Sequence, residues 1–202
     1  MVIYEVLMQR LNNQIFNHLK IHTQYSICEG AIKIENLKDY CKEKKIPSVG
    51  ISDTSNLCGA LEFSENISKI GTQPIVGTQI NFKYQDNIGL LPLIALTENG
   101  YKQIVKLSSK SYLSNQSLSE PHLDIEELYQ ATDGLVVLSG TIQGFFGKLF
   151  DKGKFTEINK IYQKISSIFK NNFYLEIQRH GDLNEEAFEM FNLSESFKSN
   201  IP

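Results

Sequence analysis

Apolar positions along the chain fall into short runs separated by amphipathic stretches, and the spacing predicts alternating strands and helices. Residues 16–22 read as a strand. Residues 32–46 place Ile34, Leu37, Cys41 and Ile46 at helical spacing, and Pro47 closes that helix. Residues 48–52 form a second short apolar strand. Residues 57–70 predict a helix with Leu57, Ala60, Leu61 and Ile67 inward and Gly71 as its C-cap. A strand over 74–82 follows. Residues 90–96, 101–113, 134–139, 142–150, 155–169, 173–178 and 184–197 continue the alternation. Repeated strand–helix units imply parallel pairing. Polar residues cluster just after strand ends and no GxGxxG turn follows the first strand, so a closed or nearly closed barrel is expected rather than an open sheet. Residues 115–121 are the best surface loop, rich in turn formers.

Composition narrows the class. The 202 residues are 41% hydrophobic and 21% charged with a net charge of -3, an ordinary globular balance that favours one domain with a full core. That charge argues against the segment gripping nucleic acid by itself. Basic residues are nearly all Lys, with Arg10 and Arg179 the exceptions. Cys28, Cys41 and Cys58 lack CxxC spacing, so neither a disulfide framework nor a zinc ribbon is supported. No apolar run reaches the roughly 18 residues of a membrane span, and a cytoplasmic protein is expected. Residues 1–15 are read as a leader that can be disordered, with Met8 as an alternative start, and residues 16–202 as the domain.

Three segments carry chemistry: His18-Leu19-Lys20-Ile21-His22-Thr23, Ser52-Asp53-Thr54-Ser55-Asn56 and Ile75-Val76-Gly77-Thr78-Gln79. Alternate histidines on a strand share a face and can hold one metal ion or two bridged ions. Here the residue between His18 and His22 on that face is Lys20, whose ammonium does not ligate. His18 by itself reads as a packed or capping histidine.

These segments resemble the N-terminal PHP (polymerase and histidinol phosphatase) domain of the bacterial replicative DNA polymerase III alpha subunit. Lys20 stands where that family has the first histidine of an HxH pair, and His22 where it has the second. Glu29, in Ile27-Cys28-Glu29-Gly30, resembles the carboxylate of the family's next turn. Ile51–Leu57 resembles TDHGNL, with Asp53 in place and Thr54 where the histidine would be. Gln79 stands for the bridging carboxylate of a GxE strand end, and Thr141, in Leu138-Ser139-Gly140-Thr141, for the cysteine of LSGC. Leu90 is the approximate counterpart of a further histidine. Asn56–Phe63, Gly100-Tyr101 with Lys106–Ser109, Asp133–Gly140 and Phe173–Gly181 resemble polymerase segments with no role in metal binding.

The resemblance implies a distorted (β/α)7-type barrel, incomplete at its C-terminal strand because the last family motif would follow Pro202. It implies a degenerate metal site with no catalytic residue and no cofactor in this segment, magnesium serving the parent polymerase elsewhere. The implied role is a scaffold that supports the remainder of the alpha subunit and docks the proofreading exonuclease subunit, with DNA reached through the parent protein and no membrane. Lys20 is expected to replace the metal's charge among His22, Glu29 and Asp53. The alternatives are a metal-dependent PHP phosphoesterase or 3'-5' exonuclease using His22, Glu29, Asp53 and His180, with Arg179 and His180 as a phosphate contact, and a free-standing interaction module.

Overall fold

The computed structural model describes residues 16–114, 120–181 and 183–202. The expected leader and most of the expected 115–121 loop lie outside them. The element order is α1 (Ile34–Lys44), β1 (Ser48–Thr54), α2 (Ala60–Ser68), β2 (Gln73–Tyr84), β3 (Asn87–Ala95), α3 (Glu98–Leu113), β4 (Leu123–Asp124), α4 (Ile125–Gln130), β5 (Leu135–Leu138), α5 (Phe145–Asp151), α6 (Phe155–Phe169), a 3-10 turn (Lys170–Asn172), β6 (Phe173–Tyr174) and α7 (Leu183–Ser199). The strands form one mixed sheet in the order β1-β2-β3-β5-β6, with β4 pairing β2.

Local chemistry sets most boundaries. Lys45 ends α1 in the left-handed region, where its N–H caps the Cys41 and Lys42 carbonyls, one residue before the Ile46-Pro47 step that no helix can continue. Thr97 caps α3 by accepting the Gly100 N–H on Oγ1 at 3.1 Å. Gly100 is required there, because a Cβ would lie 1.8 Å from the Gly134 carbonyl oxygen. Gly134 itself has φ of +72°, which suits glycine.

Parallel pairing holds for β1 with β2 and for β5 with β6. It fails in the middle: β2 and β3 form an antiparallel hairpin through Gln85 and Asp86, and β3 also runs antiparallel to β5. The expected first strand is reduced as well. The chain around 18–21 lies parallel beside β1, with Gly50 N donating to His18 O at 2.6 Å and Ser52 N to Ile21 O at 2.9 Å, but only isolated bridges result. The expected strand over 173–178 covers Phe173–Tyr174 alone. Leu61, expected inward, is 73% exposed.

Register assigns the two faces of the sheet. Ile80, Phe82, Leu91, Leu93 and Val137 point outward into the main core, where Ile104, Phe145, Phe146, Tyr162 and Phe173 cover them. Val49 and Ile51 meet Ile34, Leu37, Cys41, Phe63 and Ile67 in a second cluster. By strand alternation the opposite, concave face takes Ser52, Thr54, Gln79, Asn81 and Leu90. The result is a mixed α/β fold whose sheet curls into a distorted barrel without closing among the described residues. Lys20, ahead of β1, is nevertheless ion-paired to Glu176, beyond β6, so the two ends of the curled sheet meet through side chains.

Candidate functional cleft

A cleft of about 540 Å³ opens on the concave face. Lys20, His22, Glu29, Gln79, Thr141 and His180 line it, together with residues sequence reasoning missed, above all Gln178 and Glu185. Six of the expected site residues therefore converge, Lys20, His22, Glu29, Gln79, Thr141 and His180, with Leu90, the counterpart of a family histidine, beside them. Thr54 reaches them through Glu29, to which its hydroxyl donates.

Asp53 does not converge. It is buried at the opposite side of β1, accepting the Thr23 N–H at 2.6 Å, the Thr23 hydroxyl at 2.7 Å and the Ser26 hydroxyl at 2.6 Å. It ties down the turn that carries Glu29. That turn also needs Gly30, where a Cβ would lie 2.0 Å from the Thr23 carbonyl oxygen. Both oxygens of the Asp53 carboxylate thus accept from Thr23 and Ser26 rather than facing the cleft.

Lys20 shares the cleft with His22 and Glu29, but its charge goes to Glu176 and not, as expected, to Glu29 and Asp53. Its ammonium donates to Glu176 Oε1, with the two side chains 13% and 14% exposed. Gln178 Nε2 donates to the same oxygen at 3.1 Å, while Glu176 Oε2 is buried without a partner among the described residues. Glu176 and Gln178 belong to the Phe173–Gly181 segment already singled out in the sequence. Their alternation with Tyr174 was the available signal, since it places all three on one face of an extended chain.

The tautomer of His22 follows from its neighbours. Ser26 has one hydroxyl proton and gives it to Asp53, so His22 Nδ1, 3.3 Å from Ser26 Oγ and 3.6 Å from Glu29 Oε2, faces acceptors and carries a proton. In the neutral ring Nε2 is then the lone-pair nitrogen. Gln79 Nε2 lies 3.0 Å from it and donates. The electron pair a metal ion would take is already bound to an amide hydrogen.

His180 is held in a similar way. Glu185 accepts the His180 backbone N–H at 2.7 Å and faces Nδ1 at 2.8 Å, leaving Nε2 as the acceptor of the neutral imidazole. Arg179 instead pairs bidentately with Glu189 through Nε and Nη2 and lines a separate pocket with Met190. The proposed phosphate pair therefore faces two different pockets. His18 is neither packed nor capping: it is exposed, with its ring edge-on to Phe16. Thr141 serves its own turn, accepting the Gln143 N–H at 3.2 Å.

Donor chemistry can be tested against a divalent ion. Structural and catalytic sites need several deprotonated donors in a defined geometry. Among the described residues no three His, Cys, Asp or Glu side chains gather in such a way. The residues at the cleft do not fit a resident metal ion.

The sequence pattern of the PHP domain matches residues 18–180. The chain belongs to the PHP domain family. It is 32% identical over 203 residues to the DNA polymerase III subunit alpha of Caulobacter vibrioides, covering 96% of this chain and 18% of that protein. With the same subunit of Rickettsia felis it shares 36% identity over 174 residues, covering 86% of this chain and 14% of that one. The PHP chain thus spans less than a fifth of the length of these curated relatives. In structure it resembles a protein described as a metal-dependent phosphoesterase from Bifidobacterium adolescentis, with a TM-score of 0.56 and 13% identity, covering 91% of this chain and 84% of that one. That likeness concerns the PHP fold alone. No described helix is long and apolar enough to cross a membrane.

Proposed function

We propose that this chain is the PHP segment of a bacterial DNA polymerase III alpha subunit, a cytoplasmic DNA-directed DNA polymerase, and that within it the segment works as a scaffold without catalytic metal. It supports the remainder of the subunit and docks the proofreading exonuclease subunit, while DNA and the magnesium of synthesis engage the parent polymerase. The relatives named DNA polymerase III subunit alpha support the origin of the segment.

The observation that carries the metal-free reading is the Gln79 amide donating to the one free electron pair of His22. Where the family has a carboxylate, an amide both fails as a strong ligand for a hard cation and occupies the neighbouring one. Lys20 and Glu176 neutralise each other beside the cleft, so that pair by itself calls for no added ion.

Two assays test the reading. Purified chain mixed with manganese and a phosphodiester or phosphomonoester substrate should release no product above the chelated blank. A proofreading exonuclease subunit from a related bacterium, added to the alpha subunit carrying this segment, should co-elute with it and separate from an alpha subunit lacking the segment. Metal-stimulated hydrolysis lost in Glu29→Gln would establish the phosphoesterase or exonuclease reading instead.

A further inference from the structure

The cleft is lined by two carboxylates and one ammonium. Its ammonium, Lys20, is spent on Glu176. Glu29 and Glu185 both line it, and among the described residues no other Lys or Arg does. Gln79 and Gln178 each turn an amide N–H inward, toward His22 and Glu176, and retain their carbonyl oxygens as acceptors. His180 donates Nδ1–H to Glu185 and so offers a lone pair at Nε2, on a side chain that is 72% exposed. Behind them Glu176, whose buried Oε2 has no partner among the described residues, lines a small adjoining pocket with Thr141, Gln178 and Glu185. Acceptors outnumber free donors on this surface, and its charge is negative.

Such a surface repels phosphate, whose binding needs fixed positive charge or clustered N–H groups. It suits a planar cation with several donors. A guanidinium carries five N–H groups in a rigid fork, matches a carboxylate bidentately and is more weakly hydrated than an ammonium. The volume, about 540 Å³, admits an arginine side chain with room to spare.

We propose that the cleft binds a guanidinium group, with Glu29 as its principal charge partner and the oxygens of Gln79 and Gln178 and His180 Nε2 completing the contacts. This rests on the metal-free reading of the same cleft. Two sources share the chemistry, a free guanidinium compound and an arginine borne by a protein segment.

The test is a titration followed by NMR of the His180 imidazole and the Gln79 and Gln178 side-chain amides, in chelator so that trace metal takes no part. N-acetylarginine methylamide should shift these signals saturably, and Glu29→Gln should weaken the effect about tenfold, the weight of one charge-assisted hydrogen bond. Inorganic phosphate should leave them in place. A glycine-rich peptide with one arginine that binds more tightly than the small probe assigns the site to a protein segment, and equal binding assigns it to a free cation. Overturning results are an absence of saturable shift with the arginine probe, shifts with phosphate instead, or an unaltered affinity in a Glu29→Gln protein whose melt matches the parent. Signal loss at His22 on adding manganese without chelator would instead defeat the metal-free reading, separately from the guanidinium site.

Discussion

Lys20 and Glu176 stand 156 positions apart in sequence and form an ion pair across the gap between the two ends of the curled sheet. Both side chains are mostly withdrawn from water, so the pair is costly to break from one side. An uncompensated charge remains, and several kcal/mol can be lost with it. The same pair exchanged for apolar groups need lose little.

Lys20→Ala is accordingly expected to lower unfolding free energy by about 2–4 kcal/mol, short of the full buried-pair figure because each side chain retains some solvent. Lys20→Met combined with Glu176→Leu should recover most of that loss. Urea unfolding of the two proteins decides the matter, and a single replacement with an unchanged midpoint would show that the pair holds nothing.

Asp53 separates a structural carboxylate from a metal ligand. It accepts three buried hydrogen bonds from Thr23 and Ser26. Asp53→Ala strands those donors and should cost about 3–5 kcal/mol. Asp53→Asn, with an oxygen still facing Thr23 N–H, should cost less than half as much. If metal content rather than stability responded to these replacements, Asp53 would be a ligand after all.

The fold was legible wherever a segment announced its own periodicity. Helix α6 runs Phe155–Phe169 as the apolar spacing predicts, whereas α1 already ends at Lys44 with Lys45 as its cap, before Pro47, and α2 ends at Ser68 with Lys69 rather than Gly71 as its C-cap. The hairpin was not legible, because its turn, Gln85-Asp86, lacks an Asn-Gly or Asp-Gly signal. A strand's direction depends on its partner, which local pattern does not encode. The short β4–α4 unit went unseen for a related reason: two residues of strand carry no period.

The cleft was half legible. Motif positions brought Lys20, His22, Glu29, Gln79 and Thr141 to one place. Their partners were not foreseen, because Glu176 and Gln178 come from the far end of the chain and meet Lys20 only through the curl of the sheet. Asp53 was misassigned for a simple physical reason. On β1 it alternates with Ser52 and Thr54, so its side chain leaves the face that Thr54 occupies.

Gly100 probes the contact that seats α3 on the sheet. Gly100→Ala would drive a methyl group against the Gly134 carbonyl, 1.8 Å away, with backbone on both sides and little room to yield. A loss of about 2–4 kcal/mol is expected by thermal or urea melt, although alanine is the better helix former. A gain in stability would mean that the α3 contact is looser than described.

Alkaline pH should unfold the chain progressively. Burial pushes the Tyr129 hydroxyl up to about 12, with Glu126 and Tyr84 adding to the shift, and burial raises Tyr162 as well. The unfolded chain releases these protons near pH 10 and the folded chain holds them longer, so stability is fully present below about pH 10 and falls as pH rises through the interval to about 12. Tyr129→Phe should flatten that fall, and an unchanged slope in the variant would assign it to other groups.

The most direct test of the metal-free reading is metal content by mass spectrometry on the untagged chain, dialysed with manganese and zinc and compared with a chelator-treated blank. Less than about a tenth of an ion per chain is expected, because Gln79 holds the His22 lone pair and Lys20 answers Glu176. One or more tightly held ions per chain would contradict that account and return the cleft to metal-dependent chemistry.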